Sequence, residues 1–278
     1  MTAARFAPSA EGWHEISGKD RVSFKKNTAV QSSPLPGGNL LRFVGQSLRD
    51  EIDRLSDERL VPFFVFIFAF WIVCAVEWTQ KFAGATPDPR FWTLLSLIVT
   101  AYGGFQVFRL RPQIRNLRLG ERGERRVAEI LDRLRSEGFV AFHELPNNGL
   151  NVDHVVVGPS GIYAIETKTR SGSGTINYGS ECELVFGGRI KDGRPLRQAQ
   201  NSARAVHRQL KEDLHQAYWV KPVLVFCGNW QVQQVAGDFV VDVITADQLE
   251  NYFERQQPEL TSKEIADICS HLECSARN

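Results

Sequence analysis

The sequence has almost no net charge, because its basic and acidic side chains nearly cancel at +1. No overall field therefore indicates a polyanionic partner, and any surface that binds nucleic acid must be local. The sequence also lacks CxxC spacing among its five cysteines. This favours reduced, cytosolic thiols over a disulfide framework or a zinc site. No apolar h-region follows the first residues, so we expect no cleavable signal peptide.

Two long apolar runs contain no charged residue. They are LVPFFVFIFAFWIVCAV at 60–76 and FWTLLSLIVTAYGGFQVF at 91–108. As helices they would span about 25 and about 27 Å, slightly less than a ~30 Å hydrocarbon core. Aromatic residues such as Trp78 and Tyr102 could extend them into the membrane interfaces. The runs predict a transmembrane hairpin, and a buried helical hairpin of a soluble domain is the alternative.

The charges that flank the apolar runs predict their orientation. The loop between the runs has only Lys81 and Arg90 as basic residues, whereas four arginines closely follow the second run. By the positive-inside rule, we expect both termini in the cytoplasm, in a protein with two membrane spans. The cluster could also contact anionic lipid headgroups. Its members are Arg109, Arg111, Arg115 and Arg118.

Composition divides the chain into three parts. Residues 1–59 are polar and include an amphipathic helix, residues 60–108 hold the apolar runs, and residues 109–278 have the pattern of a soluble α/β domain. In this third part a helical stripe over 120–138 precedes several short apolar strands, and Pro195 opens a second amphipathic helix. We therefore expect a membrane hairpin followed by a cytoplasmic α/β domain.

Acidic and basic residues interrupt an otherwise apolar hairpin, NVDHVVVGPSGIYAIETKTRSG, at 151–172. If its strands fold symmetrically about the Gly-Pro-Ser-Gly turn, Asp153 faces Glu166. Opposed carboxylates about 5 Å apart repel by roughly 3 kcal/mol at an effective dielectric of ~20. Strand alternation puts Lys168 on the same face as Glu166 and His154 on the other, where a structural role suits the histidine. A divalent cation would turn the repulsion into a binding site.

Asp153, Glu166 and Lys168 are the residue types that metal-dependent phosphodiester cleavage requires. Asp153 and Glu166 would bind Mg²⁺ or Mn²⁺, and the ion would lower the pKa of a water and neutralise charge on the phosphate. Lys168 would orient the water and stabilise the charged oxygens. The D-x12-E-x-K spacing is unspecific by itself, and the opposed positions on the hairpin strengthen it.

Two further polar residues lie close to apolar helical stripes. Glu124 precedes Val127 by three residues, so it either ends the stripe in solvent or supplies a further metal contact. Gln198 lies at the edge of the stripe in the helix that Pro195 opens. Spacing alone favours a solvated polar shoulder for Gln198, although an amide there could reach the same site.

Basic residues also recur along the helix that Pro195 opens, on one side of it. Such a stripe is commonly only solvated, but beside a nuclease-like site it could follow the phosphates of a nucleic acid. Its members are Arg197, Arg204, Arg208 and Lys211.

Three segments together resemble the NERD, or nuclease-related, domain of the PD-(D/E)xK restriction-endonuclease-like superfamily. They are GERGE at 120–124, the hairpin at 151–172 and PLRQAQN at 195–201, within a resemblance that covers roughly 115–230. It implies an α/β fold, a restriction-endonuclease-like mixed sheet flanked by helices, here preceded by two transmembrane helices. Val152 stands where the superfamily has proline. The active positions that the resemblance implies are Glu124, Asp153, Glu166, Lys168 and Gln198.

The combined expectation is a membrane-anchored nuclease that hydrolyses DNA phosphodiester bonds with Mg or Mn as cofactor. Its partners would be DNA and the lipid bilayer, and RNA is not excluded as a substrate. The alternative is a non-catalytic, membrane-tethered protein that binds nucleic acid or acts as a scaffold. The complete set of Asp153, Glu166 and Lys168 favours the nuclease.

Overall fold

The computed structural model describes residues 44–85, 88–147, 150–179, 183–234 and 239–277. Most of the polar segment at 1–59 and the start of its amphipathic helix lie outside these residues. The helices are α1 (Gln46–Leu55), α2 (Val61–Phe82), α3 (Pro89–Arg133), α4 (Arg194–Leu214), α5 (Leu249–Glu254) and α6 (Ser262–Arg277). The strands are β1 (Val140–Asn147), β2 (Leu150–Gly158), β3 (Gly161–Tyr178), β4 (Leu184–Phe186), β5 (Ile190–Asp192), β6 (Val220–Gln234) and β7 (Asp242–Thr245).

Helices α2 and α3 pack side by side as a hairpin and are joined by side-chain hydrogen bonds. The hydroxyl of Ser96 donates to the carbonyl oxygen of Phe70 at 3.1 Å, and the indole of Trp71 donates to Thr100 at 3.0 Å. Both helices are long and apolar enough to cross a bilayer, by length and composition. Only 6% and 11% of their most apolar windows are buried, whereas a core hairpin of a soluble domain would be mostly buried. The hairpin is therefore consistent with two membrane spans.

Helix α3 is longer than the sequence pattern indicated. The second apolar run at 91–108 and most of the helical stripe at 120–138 were expected as separate elements, but one helix of 45 residues contains both. Pro112 lies inside it and removes one backbone hydrogen bond without ending the helix. At 1.5 Å per residue α3 is about 67 Å long. It links the hairpin to the α/β domain without an intervening loop.

The strands form one mixed sheet, as expected, and it has seven strands within the described residues. Strands β1 to β5 are neighbours in chain order and pair antiparallel, while β6 pairs parallel with β3 and with β7. Helix α3 covers one face, where Val127 packs with Ile165. Helices α4 and α6 cover the other face, where Val206 packs with Ala164.

Gly123 lets α3 approach the sheet closely. A Cβ atom at this position would lie 1.8 Å from Oγ1 of Thr169 on β3 and 3.3 Å from Cβ of Cys227 on β6. No larger residue fits unless the helix moves away from the strands. The next residue of α3 is Glu124, so this contact also sets the depth of that carboxyl group.

Candidate active site

Asp153 and Glu166 lie where β2 and β3 separate. The two strands pair from Gly158↔Gly161 to His154↔Ile165, which is the symmetric register expected from the turn. Asp153 and Glu166 are the next residues beyond this last pair. On its other side β3 pairs with β6 from Ile162 onward, and this pairing continues past Glu166. The fork between β2 and β3 therefore places both acids at an opening in the sheet.

The carboxyl groups of Asp153 and Glu166 are in hydrogen-bond contact. Oδ2 of Asp153 also accepts the backbone amide of Thr167 at 2.8 Å, and only 1% of the Glu166 side chain is exposed. Burial raises the pKa of Asp153 well above its usual range, and the nearby Glu166 raises it further. Burial also raises the pKa of Glu166, although Lys168 opposes this. Both carboxyl groups therefore hold their protons to a higher pH than ordinary carboxyl groups do.

Lys168 is the cation that contacts this pair. Its Nζ donates to Oε1 of Glu166 at 2.6 Å. Burial opposes the charge of the ammonium group, but Glu166 and Asp153 outweigh it and raise the pKa of Lys168. Lys168 therefore stays protonated at neutral pH and acts as a fixed positive charge rather than as a base.

Ser202 on α4 was not anticipated from the sequence. Its buried hydroxyl donates to Oε2 of Glu166 at 3.4 Å, so α4 and Lys168 hold the two oxygens of one carboxylate. The only sequence signal was a small polar residue beside Ala203 and Val206 on the apolar stripe of α4. That signal does not distinguish a serine that makes a buried hydrogen bond from one that makes no specific contact.

Glu124 extends the acidic environment from α3. Burial raises the pKa of its half-buried carboxyl group to about 8, and Asp153 and Glu144 contribute to the shift. Glu124 is therefore mostly neutral at pH 7. Its electrostatic coupling to Asp153 places it beside the acid pair, in the same local environment.

Glu144 on β1 is a further acid that the sequence interpretation missed. It is only 2% exposed, and its backbone is left-handed with φ of 49°. The pairs His143↔His154 and Leu145↔Val152 place it opposite Asp153 in the register of β1 and β2. A single acid in FHEL is typical of a solvated strand position, so the sequence alone gave no reason to single it out.

His154 is buried on the opposite face, as expected from strand alternation. Its Nδ1 lies 2.8 Å from Nδ1 of His143, whose Nε2 lies 3.4 Å from Oδ1 of Asp132 on α3. Burial lowers the pKa of both histidines, so neutral rings link β1, β2 and α3. This contact supports the sheet from behind the acid pair.

Gln198 is exposed on α4, one turn before Ser202, and its side chain makes no hydrogen bond within the described part of the chain. In the expected basic stripe, Arg197, Arg208 and Lys211 are exposed, whereas Arg204 is half-buried and has interactions of its own. The fold thus brings together Glu124, Asp153, Glu166 and Lys168. It leaves Gln198 at the surface nearby.

The donor set at the fork suits a hard divalent cation, although the site is not closed around one. Within the described residues, no three His, Cys, Asp or Glu side chains are placed to hold a metal ion together. Asp153 and Glu166 offer adjacent carboxylate oxygens, and Mg²⁺ is often bound by one or two carboxylates, with water and phosphate completing its shell. A buried and a half-buried acid that share one lysine also lack positive charge, which such an ion would supply.

Comparison with protein families agrees with this geometry. Residues 119–227 match the family model of the nuclease-related domain, NERD. The matched segment begins on α3, ends on β6 and contains all the acids and the lysine of the fork. A comparison with curated proteins found no match, and a comparison with solved structures also found none. The chain carries a nuclease-related domain that follows two apolar helices consistent with a transmembrane hairpin.

Proposed function

We propose that this chain, with its nuclease-related domain, is a membrane-anchored nuclease that hydrolyses DNA phosphodiester bonds with Mg²⁺ or Mn²⁺. One observation carries the proposal. Asp153 and Glu166 meet at the fork of β2 and β3, and Nζ of Lys168 lies 2.6 Å from Glu166. Two adjacent acids and a protonated lysine can serve both a divalent cation and a phosphate. A purely structural role does not account for the contact between the buried carboxyl group of Glu166 and the half-buried side chain of Asp153.

In this proposal Asp153 and Glu166 hold the cation through their adjacent carboxylate oxygens. When bound, the cation would supply Lewis acidity toward a phosphate oxygen and the attacking water. The amide of Thr167 fixes one oxygen of Asp153, and Ser202 fixes one oxygen of Glu166. The acids are therefore oriented before a substrate arrives, which lowers the reorganisation that catalysis needs.

Lys168 and Glu124 would act on the substrate side of the acid pair. The ammonium group of Lys168 remains charged, so it can orient a water and stabilise the negative oxygens of the phosphate. Glu124 is mostly neutral at pH 7, so its carboxyl group can donate a hydrogen bond there. Glu124 would lose this proton if a cation arrived close by. Gln198, exposed on α4, would contact the substrate rather than the acids.

Helix α4 is the proposed track for the DNA backbone. Its buried side supplies Ser202 to the acid pair, and its exposed side carries Arg197, Arg208 and Lys211, with Arg204 between them. Changing Arg197 and Arg208 together to Gln should weaken DNA binding for all sequences and reduce its dependence on salt. The matched control is the pair Arg133→Gln and Arg135→Gln, outside the proposed track. Equal affinity and an equal salt slope in the α4 variant would mean that the stripe is only solvated.

The proposed organisation assigns residues 60–108 to the bilayer and residues 109–278 to a cytoplasmic nuclease-like domain, with residues 1–59 also cytoplasmic. The bilayer would then be a permanent partner of the protein. DNA would be a transient partner that reaches the domain from the cytoplasm.

The central experiment uses the full chain in detergent micelles with plasmid and linear DNA, in EDTA, Mg²⁺ or Mn²⁺. We expect cleavage only with a divalent cation, and a loss of at least about a hundredfold in Lys168→Ala. Lys191→Ala is the matched control, since it removes a lysine that pairs with Glu183 at 3.7 Å on the short β4–β5 hairpin. Binding without cleavage in Mn²⁺ would favour the non-catalytic alternative. Full cleavage by Lys168→Ala would reject the proposed site.

A further inference from the structure

Three acids lie in one row across three neighbouring strands. The register of β1 and β2 sets Glu144 opposite Asp153. Asp153 and Glu166 each lie one residue beyond the last pair of β2 and β3, and their side chains interact across the fork. Like charges on directly opposed residues are destabilising unless a positive group offsets them. Lys168 contacts the Glu166 end of the row. The Glu144 end meets a different element.

The N-terminus of α1 contacts Glu144. The backbone amide of Ser47 donates to both carboxylate oxygens, at 3.2 and 3.4 Å. Gly45, at the N-cap position, supplies no side-chain hydrogen bond, so Glu144 takes the place of a capping residue. The first amides of a helix carry about half a positive charge. This charge faces the buried end of the acid row.

A second set of contacts seats α1 on α3, one turn before Glu124. Nε of Arg49 lies 2.5 Å from Oε1 of Glu121. Gly45 has φ of 75°, and a Cβ atom there would lie 2.7 Å from Cγ of Glu121. The contact therefore depends on a glycine both for its backbone conformation and for its lack of a side chain. Together, Ser47 and Arg49 bring positive charge to Glu144 and Glu121, two acids that both act electrostatically on Glu124.

We propose that α1 is a latch on the candidate site, and that its docking opposes the binding of a divalent cation by Asp153 and Glu166. The helix N-terminus and Arg49 neutralise part of the acidic environment while no cation is bound. A bound cation repels both positive groups. It also supplies the positive charge that the acids otherwise obtain from these groups. By thermodynamic linkage the opposition is mutual, so docking of α1 weakens cation binding by the same factor. This inference rests on the cation site of the proposed function but not on catalysis.

The latch is connected to the membrane hairpin. Helix α1 continues through a wider π-helical turn at Ser56–Leu60 directly into α2. Such turns are rare and often occur at functional sites. The turn is the point at which α1 can leave α3 while α2 stays packed against it. Release of the latch therefore needs no change in the hairpin.

Hydrogen–deuterium exchange on the full chain in detergent micelles tests the latch without measuring activity. The peptide over residues 44–55 should exchange slowly in EDTA and faster with Mn²⁺, because the cation releases α1. In Asp153→Asn, the same addition of Mn²⁺ should leave the exchange unchanged. Calorimetry on the same samples reports cation binding independently.

A charge-neutralising variant tests the reverse direction of the linkage. Arg49→Gln should speed exchange of the 44–55 peptide in EDTA, because it weakens the contact of α1 with α3. It should also tighten Mn²⁺ binding about tenfold, within the usual range of a coupling between two sites. The matched control is Arg54→Gln, which removes an equal charge that pairs with Glu51 within α1. It should change neither quantity. Mn²⁺ binding without faster exchange would overturn the latch and leave the proposed function standing. No Mn²⁺ binding in the wild type would overturn the cation site and the latch together.

Discussion

The buried Glu166 and the half-buried Asp153 keep two carboxyl groups in contact, and this contact lowers the free energy of unfolding. In EDTA at pH 9, Asp153→Asn should raise the free energy of unfolding by about 1 kcal/mol, because it removes one of two opposed charges. At pH 5 the gain should be smaller, since the raised pKa values keep a proton on the wild-type pair. The amide of Thr167 retains an acceptor in the variant. Thermal unfolding followed by tryptophan fluorescence provides the measurement.

The same variant tests the cation site. Mn²⁺ should raise the unfolding temperature of the wild type by mass action, and Asp153→Asn should lose this shift along with cleavage. A structural carboxylate behaves in the opposite way, because its replacement loses an interaction and lowers stability. A variant that is less stable in EDTA and keeps its full Mn²⁺ shift would show that the acids of the hairpin do not bind the ion.

The raised pKa of Glu124 predicts how the free energy of unfolding depends on pH. Its pKa is about 8 in the folded protein and about 4.3 in an unfolded chain. Between these values the folded state binds more protons than the unfolded state, so without metal the stability falls as pH rises from 5 to 8. Glu124→Gln should flatten this decline in unfolding temperature. The control Glu129→Gln removes an exposed carboxylate from the same helix and should leave the slope unchanged. An unchanged slope in Glu124→Gln would contradict the assignment.

At the scale of elements, the contact of α3 with the sheet depends on one glycine. Gly123→Ala should lower the unfolding temperature and weaken Mn²⁺ binding, because the new Cβ atom pushes the helix away from Thr169 and displaces Glu124. Gly104→Ala is the control in the same helix. Its Cβ atom would meet nothing within 4 Å, and alanine improves helix propensity by up to about 1 kcal/mol. Equal effects of the two changes would show that α3 can shift freely over β3.

The sequence was sufficient to predict the hairpin and its register, because the turn and the alternation of β2 and β3 are local signals. It was insufficient for α3, because a change in composition near residue 109 suggested a boundary where the backbone has none. Contacts between distant segments left no local signal either. Glu144 meets Ser47, which is 97 residues away. The resemblance implied Gln198 as an active position on α4, whereas Ser202 is the residue buried against Glu166. The depth of each residue depends on how α4 packs against the sheet.

At the scale of the whole molecule, the arginines after residue 108 predict the topology. Alkaline phosphatase, which is active only outside the cytoplasm, can be fused near Gly84 in the loop between α2 and α3, and separately after Asn278. We expect activity from the loop fusion and none from the C-terminal fusion, by the positive-inside rule. The reverse pattern would invert the orientation, and activity from neither would place the hairpin inside a soluble domain.

The uninterrupted course of α3 makes the height of the site above the bilayer a matter of counting residues. From Phe108 to Glu124 the axial distance is about 24 Å at 1.5 Å per residue. A continuous helix is a rigid connection, unlike a flexible linker. With the hairpin in a bilayer, the domain would therefore reach only DNA held near that height. The helix also fixes the direction in which the site faces around the helix axis. One residue inserted near Leu117 would turn the site by about 100°, whereas seven would return it to within about 20° of its original facing and raise it by about 10 Å.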